Sequence, residues 1–450
     1  MEHQSELISG SIGKKVIGFA APIILTNLIQ ANYGIVDMVT VGHFIGASGM
    51  SAVSMGAQIT AVVLVIVNGL SNGGTIISAQ LAGQGKHKDI SYVIGTMLTF
   101  FTILALALTA VVMVFCRPLL RAINTPDVAF EQAVQYLLIC MAGTIFVYAY
   151  NSMAAMLRGI GNSKAPMIIV LSTVILNALL DVLLIGPMQL GAVGAALATI
   201  ISQFVSMVMV FIYIKKKTGL FDFRLKSFRI HREYLSLIIK IGLPQAIQFL
   251  FASSSFVLLS GLVNIYGVEA SAAAGAAAKV QTLANLPSQG MMVALLTITA
   301  QNLSANKPKR EINGMWIGMA FSVAISLVIF AFCMIWPTAA FRFFTPEMSV
   351  AEVGADYLRC MAFSFIMESA MFCMFGVVSG AGYTPVTMCC GILSGFAVRF
   401  GAAWVFSRVL MLGFNGIGLA YVAGPVVSSL ISIVFLASGK WKSARIQVKH

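Results

Sequence analysis

Three polar side chains sit where a polar side chain is costly. Asp37 lies in IQANYGIVDMVTVGHFIG, Ile29 to Gly46, within an apolar run that begins near Val16 and is long enough to cross a bilayer. A second run, Ile168 to Ile185, holds Asn177 and Asp181. These two are four residues apart and so share one face of a helix. A carboxylate at the centre of a spanning helix costs about 2.5–3.5 kcal/mol on insertion scales, so it marks a functional site unless it serves only as interhelical hydrogen-bond glue. Two such acids close together in a low-dielectric setting cannot both ionise comfortably, which suits a pair that loads and releases a proton. With the Asn177 amide they also offer hard oxygen ligands for an alkali cation.

The elements that must hold these groups follow from composition. The 450 residues are 59% hydrophobic and 10% charged, with a mean hydropathy of +0.93. Soluble domains carry roughly 25% charged residues. An all-α polytopic membrane protein is therefore expected. The net charge of +13 does not point to nucleic acid, because the bases sit in short segments between apolar runs. Met1 to Gly13 is polar and the first apolar run is a full span, so no cleavable leader is expected. The seven cysteines lie in or beside apolar runs without metal-ligand spacing and read as buried thiols.

At 1.5 Å per residue a span needs about 20 apolar residues. Twelve runs qualify, at approximately 16–41, 52–80, 91–115, 133–157, 166–186, 192–214, 241–265, 271–302, 312–336, 357–379, 385–407 and 417–438. With the N-terminus inside, twenty-one Lys and Arg fall on the inner side and five on the outer, with Lys279 and Arg399 inside spans. The expectation is both termini in the cytoplasm of a prokaryotic-type plasma membrane. The segments 117–132 and 341–356 read as short external connectors, and His43 and Gln58 as loop and packing residues.

The longest polar segment divides the chain into an N-terminal lobe, 1–214, a cytoplasmic linker, 215–240, and a C-terminal lobe, 241–450. The halves match in order. SAQLAGQGKHKD answers TAQNLSANKPKR, with Gln80 and Gln301 221 apart; INTPDVAFEQAVQYL answers FFTPEMSVAEVGADYL, with Tyr136 and Tyr357 also 221 apart. LRGIGNSKAPM answers VSGAGYTPVTM, GAVGAALATIISQFVS answers GFNGIGLAYVAGPVVS, and Pro22 answers Pro244. An even number of spans per repeat gives both copies the same orientation. That design places a cavity near the midplane and suits alternating access by rocking. HExxH, GxSxG and Walker A patterns are absent, so an intramembrane enzyme is not expected.

Several segments carry a family likeness: Pro22 followed by VDxxxVG (Val36, Asp37, Val41, Gly42), AQLAGQGK, LRGIGNSKAP, NALLD and GAVGAALAT. Over essentially its whole length the chain resembles the multidrug and toxic compound extrusion (MATE) transporters. The resemblance implies export of cationic or amphipathic organic compounds in exchange for protons or sodium ions, without a cofactor. It places a cation site at Asp37, Asn177, Asp181 and Thr199, with Tyr136 nearby. Depth agrees: Asp37 and Asp181 lie about 6–9 Å inside the outer end of their spans, and Thr199 about 12 Å. The sodium-coupled NorM-like branch has an additional acid in its seventh span, where this chain has only serines in FLFASSSFVLLSGL; Glu368 falls where that branch carries its acid in the tenth. H+ and Na+ both stay open as the coupling ion.

The second lobe offers Lys279, Glu368 and Arg399, the last two near mid-membrane, as a neutralising ion pair or as a substrate or coupling site. Arg399 is the repeat counterpart of Asn177, and Ala403 that of Asp181, so the ion site is asymmetric. Pro22 and Pro244 either bend their helices or mark first turns, where proline is tolerated. The 25 Met and 30 Phe line a deformable cavity or serve as packing. Expected partners are small organic cations or amphiphiles, the coupling cation and membrane lipid, with one chain sufficing. The rival on the same fold is an exporter or flippase of a lipid-linked or endogenous metabolite.

Overall fold

The computed structural model describes residues 7–342, 344 and 347–443, without the side chains of 32–39, 253, 254, 256 and 257. No strand occurs among the described residues. In hydrocarbon an unpaired backbone amide has no water to bond, so the chain satisfies its own backbone as helix. Eleven helices there are long and apolar enough to cross a membrane, and a bent pair makes a twelfth span.

α1 (Ile12–Gly83) holds spans 1 and 2, separated only by Gly46 at φ 76° and ψ −164°. That region of backbone space is essentially reserved for glycine. α2 (His87–Ala122) is span 3. Span 4 is broken: α3 (Asp127–Ala142) and α4 (Thr144–Gly159) meet at Gly143 with a 44° bend that hydropathy alone does not announce. α5 (Lys164–Ile185) and α6 (Gly191–Tyr213) complete the first repeat. The second contains α7 (Arg232–Val263), α8 (Val268–Ser304), α9 (Pro308–Ile335), the short α10 (Pro337–Arg342), α11 (Met348–Gly380), α12 (Thr384–Ile392), α13 (Arg399–Trp404) and α14 (Gly413–Ala437). Span 11 is α12 and α13 with π turns at Leu393–Val398 and Val405–Val409.

Helices run further than their apolar stretches. The connector read as 117–132 shrinks to the four residues between α2 and α3. Its polar residues lie on helix ends, where Arg117 and Glu131 pair at 2.8 Å. Hydropathy marks the hydrocarbon depth, whereas the helix continues into the headgroup layer, where charged side chains are solvated.

The chain packs as two compact units, Leu25–Leu243, and Pro244–His450 together with Ser5–Ile24. In the first, the segment after α6 is docked: Phe221 is buried, Gly95 of α2 admits the Ser227 carbonyl, and Thr96 Oγ1 accepts from the His231 amide at 3.1 Å. In the second, Val16, Phe19, Ala20 and Ile23 join Met291, Leu295 and Ile298 in one core cluster. Arg310 donates to the carbonyls of Ser9 (2.9 Å) and Gly10 (2.6 Å). Buried on most sides, α8 and α11 form the centre of this unit. Pro22 and Pro244 both lie well inside continuous helices, not in a first turn.

The duplication reappears atom by atom within each unit. A Cβ on Gly159 would meet the Thr75 carbonyl and Ser78 Cβ; one on Gly380 would meet the Leu296 carbonyl and Thr299 Cβ. Each residue of the second set is 221 beyond its partner in the first. Gly194 closes on the Leu184 backbone and Gly416 on that of Phe406, both shifted by 222. Left-handed backbone repeats as well: Gly161 (φ 91°) and Gly382 (φ 86°) end α4 and α11, and Gln189 (φ 53°) and Met411 (φ 55°) turn the chain after spans 5 and 11. Small residues that let backbones approach are what membrane helices use in place of a hydrophobic driving force.

Gly380→Ala would place a Cβ 2.5 Å from the Leu296 carbonyl, whereas Gly401 has nothing within 4 Å. Overpacking of this kind costs about 1–3 kcal/mol. Gly380→Ala is expected to lower the apparent melting temperature in detergent by several degrees, and Gly401→Ala to leave it unchanged; a thermal size-exclusion assay measures both.

Candidate functional site

α5 is amphipathic in the inverted sense of a membrane helix. Ile168, Ile175, Leu179 and Val182 are exposed at 50% or more, while Thr173, Asn177 and Asp181 form a buried stripe at intervals of four. Asn177 is 1% exposed and Asp181 0%. The polar stripe therefore faces protein and the apolar one faces outward. None of Tyr136, Asn177, Asp181 and Thr199 is without an interacting partner.

α6 brings Thr199 alongside, because α5 and α6 pack along their lengths and close at Gly194 against Leu184. α3 in turn packs on α6 and carries Tyr136, 5% exposed. The Tyr136 ring lies directly on Gly56 of α1, where any Cβ would collide with it. Asp37 lies on the helical backbone of α1, with its side chain outside the described residues.

The second unit answers with a closed polar cluster. Glu368 of α11 is 4% exposed. Its Oε1 accepts from Gln281 Nε2 at 2.9 Å, and its Oε2 accepts from Asn285 Nδ2. Arg399 Nη2 stands 3.6 Å from Oε1, and its guanidinium lies 5.1 Å over the Tyr421 ring. Behind it Tyr357 stacks on Phe414 at 4.3 Å. Glu368 and Arg399 are thus brought together. Lys279 is not with them: it sits two residues before Gln281, on the opposite side of α8, exposed and 6.0 Å from the Phe344 ring.

Gln281 and Asn285 escaped the sequence reading although they carry the signal used for Asn177 and Asp181, two polar side chains four apart in an apolar span. Tyr421 escaped too. It stands 222 residues after Thr199, so the counterparts of Asn177 and Thr199 touch each other in the second unit.

These features define an integral membrane protein of two six-span repeats, each with buried ionisable side chains. Both repeats match the MatE family model, over residues 22–183 and 244–405; the chain belongs to this family, the multidrug and toxic compound extrusion transporters. It is 26% identical to the Bacillus subtilis protein named "Probable multidrug resistance protein YpnP", with 98% of each chain covered. It is 24% identical to "Multidrug export protein MepA" of Staphylococcus haemolyticus, covering 83% of this chain and 82% of that one. A solved structure described as the outward-facing conformation of a multidrug resistance MATE family transporter of the MOP superfamily shares the fold, with a TM-score of 0.91, 21% identity and 98% of each chain covered.

The contact between Gly56 and Tyr136 generates a test. Gly56→Val displaces the ring, so it is expected to reduce transport as much as Tyr136→Ala does, and the double substitution should be no worse than either alone. Efflux rates of the three variants, treated as a double-mutant cycle, measure this.

Proposed function

We propose that this protein is a secondary active exporter of cationic and amphipathic organic compounds, driven by antiport with H+ or Na+ through alternating access. The observation that carries the reading is the buried stripe of Asn177 and Asp181, 1% and 0% exposed in a helix whose other face is apolar. A carboxylate kept there without function is a pure cost. Asp37, Asn177, Asp181 and Thr199 would supply oxygen ligands for the ion, with Tyr136 bordering them. One charge moved across 100 mV is worth about 2.3 kcal/mol, enough to drive uphill export when coupled turnover by turnover. Relatives named for multidrug resistance and multidrug export support the substrate class. Twenty-one inner bases against five outer ones support cytoplasmic termini. A single chain suffices, and no cofactor takes part beyond the coupling ion.

Liposomes containing the purified protein, a fluorescent organic cation, and an imposed proton or sodium gradient test this. Transport is expected under one gradient only, and to fall at least tenfold in Asp37→Asn and in Asp181→Asn. Transport that survives both substitutions would reduce the acid pair to hydrogen-bond glue. No movement of any organic cation under either gradient would favour a lipid-linked or endogenous metabolite as the cargo.

A further inference from the structure

Arg399 occupies a position that the architecture has gone out of its way to preserve. The two repeats are 221 residues apart at Gly161 and Gly382 and 222 apart at Leu184 and Phe406. The second repeat is therefore one residue longer than the first between those points. The π turn Leu393–Val398 lies there and ends immediately before Arg399. A π turn is the device by which a helix absorbs a single additional residue, and such turns concentrate at functional sites. Beyond it the equivalence is restored: Arg399 stands for Asn177, Ala403 for Asp181 and Tyr421 for Thr199.

At these three positions the second repeat has none of the hard-oxygen ligands proposed for the first except a phenol, and it carries a guanidinium. Glu368 faces that guanidinium from α11 at 3.6 Å, and Gln281 and Asn285 of α8 hold its two oxygens through their amide donors. Tyr421 covers the guanidinium. The carboxylate therefore has a counter-charge that belongs to the chain. Guanidinium does not deprotonate in proteins, and a covalent tether keeps it from leaving.

We propose that Arg399 is a tethered cation. It fills, in the second unit, the position that an exchangeable cation takes in the first, and so confines ion coupling to the first unit. Arg399 is on this account a positioning residue acting through Glu368. The inference rests on the reading of Asp37, Asn177, Asp181 and Thr199 as a cation site. It also says what removal of the tether would create. Arg399→Asn places there the residue found in the first repeat and leaves Glu368 with the amides of Gln281 and Asn285. The Oε1 and Oδ1 of those amides are buried without hydrogen-bond partners and would face a bound cation on rotation of the amides. A carboxylate and amide oxygens are a donor set for a hard cation.

The test counts cations on the purified full-length protein, by binding of radioactive sodium and by proton uptake in weakly buffered detergent solution. Arg399→Asn is expected to bind one cation more per chain than the natural protein, and the addition of Glu368→Gln to remove it. Arg399→Lys and Glu368→Gln alone should both keep the natural count. The inference is overturned if Glu368→Gln alone lowers that count, or if folded Arg399→Asn binds nothing additional. Should Arg399→Asn fail to yield folded protein, the Glu368→Gln comparison decides. Asp181→Asn separates the two readings: a natural count unchanged by it sinks the first-unit cation site, whereas the additional cation of Arg399→Asn depends on Glu368 alone.

Discussion

A charge inside hydrocarbon must be given a partner, and much of this structure can be understood as the provision of partners. The backbone meets the demand by being helical almost throughout. Side chains meet it in two different ways. In the second unit Glu368 is met by Arg399, Gln281 and Asn285, all groups of the chain itself. In the first, Asp181 lies at 0% exposure on α5, whose one basic residue is Lys164 at its first position. One acid is answered by a guanidinium of the chain; the other is buried on a helix whose opposite face is apolar.

Packing around these charges depends on close backbone approach. Gly159 and Gly380 bring the fourth and tenth spans onto the second and eighth, and Gly194 and Gly416 bring the sixth and twelfth onto the fifth and eleventh. Each contact fixes the azimuth of a helix that carries a polar group, α5 with Asn177 and Asp181 among them. Polar groups on separate helices meet only if those helices keep their azimuths, which is what the close backbone contacts provide.

Much of this was legible in the sequence. Twelve apolar runs gave the spans, the repeat gave the architecture, and a pair of polar residues four apart gave the inward face of α5. Three kinds of feature were not. The bend at Gly143 and the π turns of span 11 lie inside unbroken apolar text, and hydropathy has no term for backbone phase. Helix ends outran their apolar stretches because α2 and α3 continue with charged residues such as Arg117 and Glu131. Lys279, Glu368 and Arg399 are grouped in the sequence only as charged residues within the second lobe, the last two by their depth. Depth cannot tell which side of a helix a residue is on, and Lys279 lies on the far side of α8 from Gln281.

In a regular helix one additional residue turns everything beyond it through about 100° and raises it by about 1.5 Å. The wide turn before Arg399 takes up that residue locally, so Gly416 still meets Phe406 as Gly194 meets Leu184. Duplicated halves can thus gain a codon within a membrane span and keep a common frame. With the frame held, the halves differ here by single letters: asparagine against arginine, aspartate against alanine, threonine against tyrosine. Two copies of one module can in this way come to differ at single buried positions while both keep the same packing.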